Sequence, residues 1–201
     1  GLRLRAAGTF QRTNFALACA GAEAFLGAAG SPMPPPDRFG NTPALDPAAV
    51  AQAAASTLVP GRFETVGEHP LTILDGAHNP AGFVALAASL REVLDGRRLV
   101  AVLSVLDDKD AVAMLERLLA LCGGVVFTTS ANPRSLPAAT LAALAGELPA
   151  RVTSRVEADP RRALVIAREL AGQEGVVLAT GSIYLVADLL RPSGAGPGSI
   201  L

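Results

Sequence analysis

The sequence predicts an α/β fold in which helices flank a mostly parallel, Rossmann-like sheet. Strand-like and helix-like segments alternate after Pro60, which is typical of consecutive strand–helix–strand units. Apolar residues there form short runs, such as Leu71–Leu74, or recur at helical spacing, as over 80–94. Fifty per cent of the 201 residues are hydrophobic, which is enough to build a sizeable core. This length fits one α/β domain with an appendage, or two small domains.

The first part of the chain is predicted to be mainly helical. A short strand is expected around Leu2 to Leu4, followed by helices over 12–29 and 47–58. Six prolines between positions 31 and 47 predict a loop or linker. Asn14 lies near the start of the first helix, where its amide would either cap the helix or be presented to a ligand.

The second part carries the regular alternation. Predicted strands cover 63–66, 71–74, 99–103, 125–128 and 176–179, with a short edge strand near Val152. Predicted helices cover 80–94, 110–121, 137–148, 160–171 and 182–190. The residues 193–201 are rich in glycine, proline and serine and predict a flexible tail.

Composition excludes several classes of function. A net charge of −1 and 4% aromatic residues provide no basic surface for nucleic acid. No apolar run reaches the roughly 18 residues of a membrane helix, and the N-terminal residues do not form a signal peptide. Cys19 and Cys122 are far apart in sequence and fit reduced thiols of a cytoplasmic protein. With two histidines and no paired Cys/His spacing, no structural zinc site is predicted.

Polar groups concentrate in the stretch from Asp75 to Pro80. Asp75 ends a predicted strand, and ligands bind at this end of the strands in open α/β sheets. Its carboxylate would cap the following turn, bind a ribose hydroxyl or bind a metal. His78 would be a surface or capping residue, or a catalytic residue. A helix N-terminus disfavours the imidazolium, so a neutral hydrogen-bonding role is expected.

Two further strand ends are expected to lie beside this one. The turns at 104–109 and 180–182 also follow predicted strands, so all three turns could line one cleft. Ser182 would cap the last helix or help to bind an anion at the helix N-terminus. Lys109 and Arg134 either remain solvated or reach a substrate carboxylate. Arg62 lies at the domain boundary, where a ligand would be within its reach.

No complete catalytic apparatus is apparent in these residues. The sequence has neither the G-x-x-x-x-G-K-[ST] phosphate loop nor G-x-G-x-x-G after a strand. The G-x-S-x-G motif of serine hydrolases is also missing. The residues alone therefore indicate a polar cleft, but they do not indicate which reaction it would catalyse.

A series of motifs, in order, resembles the folylpolyglutamate synthase/dihydrofolate synthase family of the Mur ligase superfamily. The motifs are Gln11-x-x-Asn14, Pro60-Gly-Arg-Phe63, Leu74-Asp-Gly-Ala-His-Asn-Pro80, Asp108-Lys-Asp110, Asn132-Pro-Arg134 and Thr180-Gly-Ser-Ile-Tyr-Leu185. The resemblance implies that 1–58 is the tail of a central ATPase domain, with a proline-rich linker at 31–47. It further implies that 59–192 is a Mur ligase C-terminal (glutamate ligase) domain, followed by the flexible tail 193–201.

The same resemblance implies an ADP-forming ligase that joins L-glutamate to folate or dihydropteroate through an acyl phosphate. Asn14, Arg62 and Asp75 match positions that contact ATP, while His78 and Ser182 match positions tied to activity. The Mg²⁺ ligands and phosphate loop belong to the missing ATPase domain, so this chain alone is expected to be inactive. A cytoplasmic monomer is expected.

Two alternatives remain open. One is a free-standing Rossmann-like module that binds a small anion without catalysis. The other is a Mur-type ligase of peptidoglycan precursors, against which Pro-Gly-Arg-Phe63 and the segment 181–185 argue.

Overall fold

A computed structural model describes residues 2–30, 45–150 and 152–192. The chain separates into two units, Gly1–Val59 and Pro60–Leu201. Most of the predicted linker (31–44) and the whole predicted tail (193–201) lie outside the described residues.

Among its described residues, 2–30 and 45–59, the first unit contains two helices, α1 (Phe10–Ala28) and α2 (Pro47–Ser56). Asp46 caps α2, because its carboxylate oxygens accept from the next N–H groups and Pro47 occupies the first helical position. The predicted strand at 2–4 is wrong. Residues 2–4 pair with no strand within the described part of the chain, and nearby the Arg5 N–H donates to the carbonyl of Ala54.

The start of α1 also differs from its prediction. The helix begins two residues earlier than expected, so Asn14 lies in its second turn and does not cap it. Gln11 and Ala54 are the buried residues among those described in this unit. Phe25 on α1 is 72% exposed, so the apolar residues of this helix find little cover within the described part of the unit.

The second unit is built around a six-stranded sheet with the order β1-β2-β6-β3-β4-β5. The strands are β1 (Glu64–Glu68), β2 (Leu71–Leu74), β3 (Leu99–Leu103), β4 (Gly124–Phe127), β5 (Thr153–Val156) and β6 (Val176–Thr180). β1 pairs antiparallel with β2, and every other pair is parallel. This confirms the predicted α/β class and the edge position of β5. The last strand in the sequence, β6, lies between β2 and β3.

Five helices flank this sheet. They are α3 (Pro80–Leu94), α4 (Ala111–Leu119), α5 (Ala138–Glu147), α6 (Pro160–Ala171) and α7 (Ile183–Leu190). Four begin where a side chain accepts a hydrogen bond from a backbone N–H of the first turn. The capping residues are Asn79, Asp110, Asp159 and Ser182. These local signals explain why the predicted helices agree with the structure to within two residues.

The two faces of the sheet are both covered. α6 and α7 pack on one face, where Val100, Val102, Val126 and Val177 are fully buried. Since side chains alternate along a strand, Ala101, Leu103, Val125 and Leu178 lie on the opposite face, where they are also fully buried. Burial on both faces leaves the ends of the strands as the place where polar groups can meet a ligand. None of the helices in the described ranges has the length and apolar character needed to cross a membrane.

Candidate functional site

The turn after β2 is bonded to the turn after β6. The Asp75 N–H donates to the carbonyl of Ala179 at 3.0 Å, and the Gly181 N–H donates to the carbonyl of Ala77 at 3.0 Å. Together these bonds hold the Asp75–Asn79 turn against the start of α7.

The turn after β6 is equally close to the turn after β3. The Ser104 N–H donates to the carbonyl of Thr180 at 3.3 Å. Gly181 has φ +97°, and a methyl group at this position would lie 2.3 Å from the Ser104 carbonyl oxygen. Only glycine fits such a position without strain. The prediction that the three turns lie side by side at the carboxyl edge of the sheet is confirmed.

Asp75 is a buried carboxylate, 2% exposed, with a clear structural role. Oδ1 accepts from the Ala77 N–H at 2.8 Å, and Oδ2 accepts from the Phe63 N–H at 2.9 Å. Burial raises the pKa of Asp75 above its usual value, while the two N–H groups and the charges of Arg62 and His78 act in the opposite direction. The carboxylate therefore caps its own turn and fixes the segment before β1.

Arg62 lies on a backbone turn that is held at three points. The Gly61 N–H donates to Glu64 Oε2 at 2.8 Å, and the Gly61 carbonyl accepts from the Gly76 N–H at 2.7 Å. The third point is the bond from Phe63 to Asp75. Gly61 and Phe63, on either side of Arg62, have φ of +66° and +51°, so the turn is sharp. A non-glycine residue in this conformation is uncommon and marks a site of local strain.

The Arg62 guanidinium lies against the turn after β2. A methyl group on Gly76 would be 3.3 Å from Arg62 Nη1. The side chain is half-buried, and no hydrogen bond or ion pair of the guanidinium forms with the described residues. An arginine fixed through its backbone with its donors unused is suited to bind an anion.

His78 immediately precedes Asn79, the cap of α3, and Ser182 is the cap of α7. His78 Nδ1 lies 2.8 Å from the Gly76 carbonyl, and a carbonyl can only accept, so Nδ1 carries a proton. In the neutral ring, Nε2 then has the free lone pair. Ser182 is 1% exposed, and its Oγ accepts from the Tyr184 N–H at 3.1 Å. The serine is thus a buried helix cap.

Two cations lie on the loops after β3 and β4. Asp108 pairs with Lys109 Nζ at 2.9 Å and with Arg134 Nη1 at 3.4 Å. The hydrogen bond from Lys109 is the main cause that lowers the pKa of Asp108. The loops are also joined by the Asp107 N–H, which donates to the carbonyl of Arg134 at 2.8 Å. Lys109 and Arg134 thus lie on either side of Asp108 at the ends of β3, which is next to β6, and β4.

Residues 61–183 match the family described as Mur ligase, glutamate ligase domain. The chain belongs to this family. The match covers more than half of the chain and contains Arg62, Asp75, His78 and Ser182.

Individual relatives agree with this assignment. The chain is 41% identical over 140 residues to a Mycobacterium tuberculosis dihydrofolate synthase/folylpolyglutamate synthase. This alignment covers 70% of this chain and 26% of that protein. It is 34% identical over 158 residues to a Corynebacterium efficiens UDP-N-acetylmuramoyl-L-alanyl-D-glutamate–2,6-diaminopimelate ligase, covering 73% of this chain and 30% of that ligase.

A solved structure resembles the chain over almost its whole length. The M. tuberculosis folylpolyglutamate synthase complexed with ADP and AMPPCP superposes with a TM-score of 0.79 at 34% identity. The alignment covers 97% of this chain and 42% of that enzyme. The chain thus spans between about a quarter and under half of the length of these three relatives.

Asn14 lies in the first unit, outside the glutamate ligase domain. It is exposed, and its Nδ2 donates to Gln11 Oε1 at 3.0 Å. Its contact with ATP stays a prediction, as do the site roles of the other four residues and the assignment of 1–58 to an ATPase domain.

The described residues do not offer a binding site for a divalent cation. Across 2–30, 45–150 and 152–192, no group of three or more His, Cys, Asp or Glu side chains could hold a metal ion. Asp75 has both oxygens bonded to backbone N–H groups, which leaves it poorly suited to coordinate a metal. Of the three roles open to Asp75 in the sequence, the structure supports the capping role and disfavours the metal.

Sequence reasoning missed two groups of the glutamate ligase domain. Glu64 accepts a hydrogen bond from the Gly61 N–H. The only sequence signal for this contact was a carboxylate three residues after the glycine of Pro60-Gly61. Thr180 Oγ1 is buried at the carboxyl edge and has no hydrogen-bond partner among the described residues. Its position at a strand end was visible in the sequence, but its lack of a partner depends on packing.

Proposed function

We propose that this chain is the C-terminal portion of an ADP-forming ligase that joins L-glutamate to folate or dihydropteroate. The family assignment and the M. tuberculosis relatives support this substrate class. The observation that carries the proposal is the Arg62 turn, which is fixed to Asp75 while its guanidinium has no partner among the described residues. An ATP-dependent ligase needs such a cation where phosphate charge must be held.

The nucleotide side of the site comprises Arg62, Asp75 and Asn14. Arg62 would pair with phosphate oxygens of ATP, and its fixed backbone lowers the entropic cost of that contact. Asp75 would act mainly by holding the Arg62 turn in place, with its remaining lone pairs open to a nucleotide hydroxyl. Asn14, in the first unit, would contact ATP through its amide.

The amino-acid side comprises His78, Ser182 and the cations Lys109 and Arg134. Glutamate carries two carboxylates, which the two cations would bind. Its ammonium must lose protons as nitrogen bonds to the acyl carbon and phosphate leaves, and His78 Nε2 would accept one of them. Ser182 would act by fixing the start of α7.

The partner of this chain would be an ATPase domain that carries the phosphate loop. Mg²⁺ would bind there with ATP, since the described residues offer no ligand set. We therefore expect no glutamate-dependent ADP release from the 201-residue chain by itself. Measurable ADP release from the chain in the presence of folate and glutamate would contradict this division of labour. The complete enzyme would act as a cytoplasmic monomer.

The decisive test is Arg62→Ala in the full-length polypeptide that contains this chain. Loss of a transition-state cation should lower kcat/KM for ATP by about 10²–10³, with partial recovery in Arg62→Lys. Arg155→Ala, an exposed arginine on β5, serves as the matched control and should remain close to wild type. Unchanged ATP kinetics in a folded Arg62→Ala enzyme would remove the basis of the proposal.

A second candidate reaction is ligation of a peptidoglycan precursor. The C. efficiens diaminopimelate ligase covers a similar share of this chain at 34% identity, which favours considering it. Steady-state assays with a folate plus glutamate, and with a muramyl peptide plus diaminopimelate, distinguish the two. Calorimetry with ATP and glutamate separates both from a module that only binds a small anion.

A further inference from the structure

A long-range hydrogen bond ties the loop after β4 to helix α7. The Ala131 N–H donates to Asp188 Oδ2 at 2.8 Å, across 57 residues of sequence. Ala131 precedes the Asn132-Pro-Arg134 motif, whereas Asp188 lies near the end of α7. The bond therefore joins the segment that carries Arg134 to the helix that Ser182 caps.

The Asp188 carboxylate is itself held in place from its other side. Arg191 Nη1 lies 3.7 Å from Asp188 Oδ1, and the aspartate side chain is only 14% exposed. The backbone carbonyl of Asp188 accepts from Arg161 Nη2 at 3.1 Å. Because both the carboxylate and its backbone are fixed, the Ala131 N–H meets a rigid acceptor.

The loop has other anchors on both sides of Ala131, and Asp188 holds the backbone between them. The Ser130 N–H donates to Ser104 Oγ at 3.1 Å, and the Arg134 carbonyl accepts from Asp107 at 2.8 Å. Within the loop, Asn132 Oδ1 accepts from the Arg134 N–H at 2.9 Å. Asp188 is thus the contact from α7 that fixes the backbone immediately before Asn132.

We propose that Asp188 is a positioning residue for Arg134 and, through it, for a carboxylate of the incoming amino acid. This inference rests on the proposed function, in which Arg134 and Lys109 bind glutamate. Asp188 itself touches no substrate. It sets the position of the loop, so its loss should weaken amino-acid binding while ATP binding is retained.

The kinetic test uses the full-length polypeptide with three substitutions at this position. Asp188→Ala should raise KM for L-glutamate about tenfold or more, because a charge-assisted bond to a backbone N–H is lost. Asp188→Glu keeps the charge but displaces the oxygens and should also raise KM. Asp188→Asn retains an acceptor oxygen and should stay within about threefold of wild type. KM for ATP should change less than about twofold in all three.

Asp159→Ala is the matched control. It removes a neighbouring carboxylate that also accepts from a backbone N–H, that of Arg162 at 2.8 Å, and that forms no hydrogen bond with the loop after β4 among the described residues. Its KM for glutamate should not change. If Asp159→Ala and Asp188→Ala alter both Michaelis constants to the same extent, Asp188 has only a general structural role and the inference is refuted.

A second readout is independent of activity and uses the 201-residue chain. Hydrogen exchange of the Ala131 amide should be at least about tenfold faster in Asp188→Ala and Asp188→Glu than in wild type, and unchanged in Asp159→Ala. Unaltered exchange would refute the positioning role.

Arg134→Ala distinguishes a failure of the proposed amino-acid site from a failure of the proposed role of Asp188. If Arg134→Ala leaves KM for glutamate unchanged, the proposed amino-acid site is wrong. If Arg134→Ala raises this KM but Asp188→Ala does not, only the proposed role of Asp188 is refuted.

Discussion

Replacing Asp75 with asparagine should destabilise the second unit at pH 7. Asparagine has the same shape but only one acceptor oxygen, so either the Phe63 or the Ala77 N–H loses its partner and faces an NH₂ group. An unpaired buried N–H costs about 1–3 kcal/mol. Removing a buried charge offsets part of that cost. We therefore expect a net loss of about 1–2 kcal/mol, or about 2–8 °C in Tm for a unit of this size.

The same variant should change how stability responds to acid. Burial raises the pKa of Asp75 above its ordinary 3.8, so the folded state binds a proton more readily than the unfolded state. Ionising Asp75 lowers the free energy of unfolding. This loss is absent below the pKa of Asp75 in the unfolded chain and grows as the pH rises to its pKa in the folded chain. Wild type therefore gains stability from Asp75 as the pH falls through this window, and Asp75→Asn does not. The stability difference between the two proteins should widen towards about pH 4.

Urea unfolding at pH 7 and at about pH 4.5 measures both effects. The chain has one tyrosine and no tryptophan, so fluorescence of Tyr184 reports on the second unit. Asp107→Asn, at an exposed aspartate on the loop after β3, is the control and should show neither effect. A difference in free energy of unfolding that does not vary with pH would refute the reasoning about the buried charge. A variant more stable than wild type at pH 7 would refute the reasoning about the two hydrogen bonds.

Other substitutions test further parts of the fold. Gly181→Ala should cost about 2–3 kcal/mol in urea unfolding, because the added methyl meets a backbone carbonyl at positive φ. Gly146→Ala, in open space within α5, should instead stabilise by about 0.5–1 kcal/mol. Burial raises the pKa of the half-buried Cys122 to about 12, so a thiol reagent at pH 8 should label it much more slowly in the folded than in the unfolded Cys19→Ser chain, and equal labelling rates would contradict this. Ser182→Ala should lose about 1 kcal/mol with the helix cap, whereas Ser182→Thr should keep most of it.

Local features of the sequence were enough to predict most of the elements. Asn79-Pro80 and Asp159-Pro160 each begin a helix at the predicted residue, because a cap and a proline at the first position act within one turn. β2 and β3 were predicted residue for residue, since short apolar runs between turns are typical of buried parallel strands. The strand expected at 2–4 failed because an apolar–polar alternation forms a strand only where another strand is available to pair.

The site could be predicted only in part. The sequence placed Asp75, His78 and Ser182 at strand ends, and the structure brings their turns to one edge. The partners of the polar groups depend on tertiary contacts, such as Asp75 with Phe63 and Asp188 with Ala131. No spacing rule connects residues that are 12 or 57 positions apart. For the same reason, the sequence alone gave no basis for choosing the capping role of Asp75 over binding of a ribose hydroxyl or a metal.

The position of β6 has a consequence for synthesis of the chain. This strand joins β2 to β3, yet it is separated from β2 by about a hundred residues and is the last strand to be made. Until residue 180 has left the ribosome, β2 and β3 each present an unpaired edge, and unpaired edges favour association with other chains. The sheet therefore closes late, through contacts distant in sequence, and such topologies fold slowly. A nascent chain stalled or truncated before Val176 would hold two incomplete sheets rather than a smaller version of the domain.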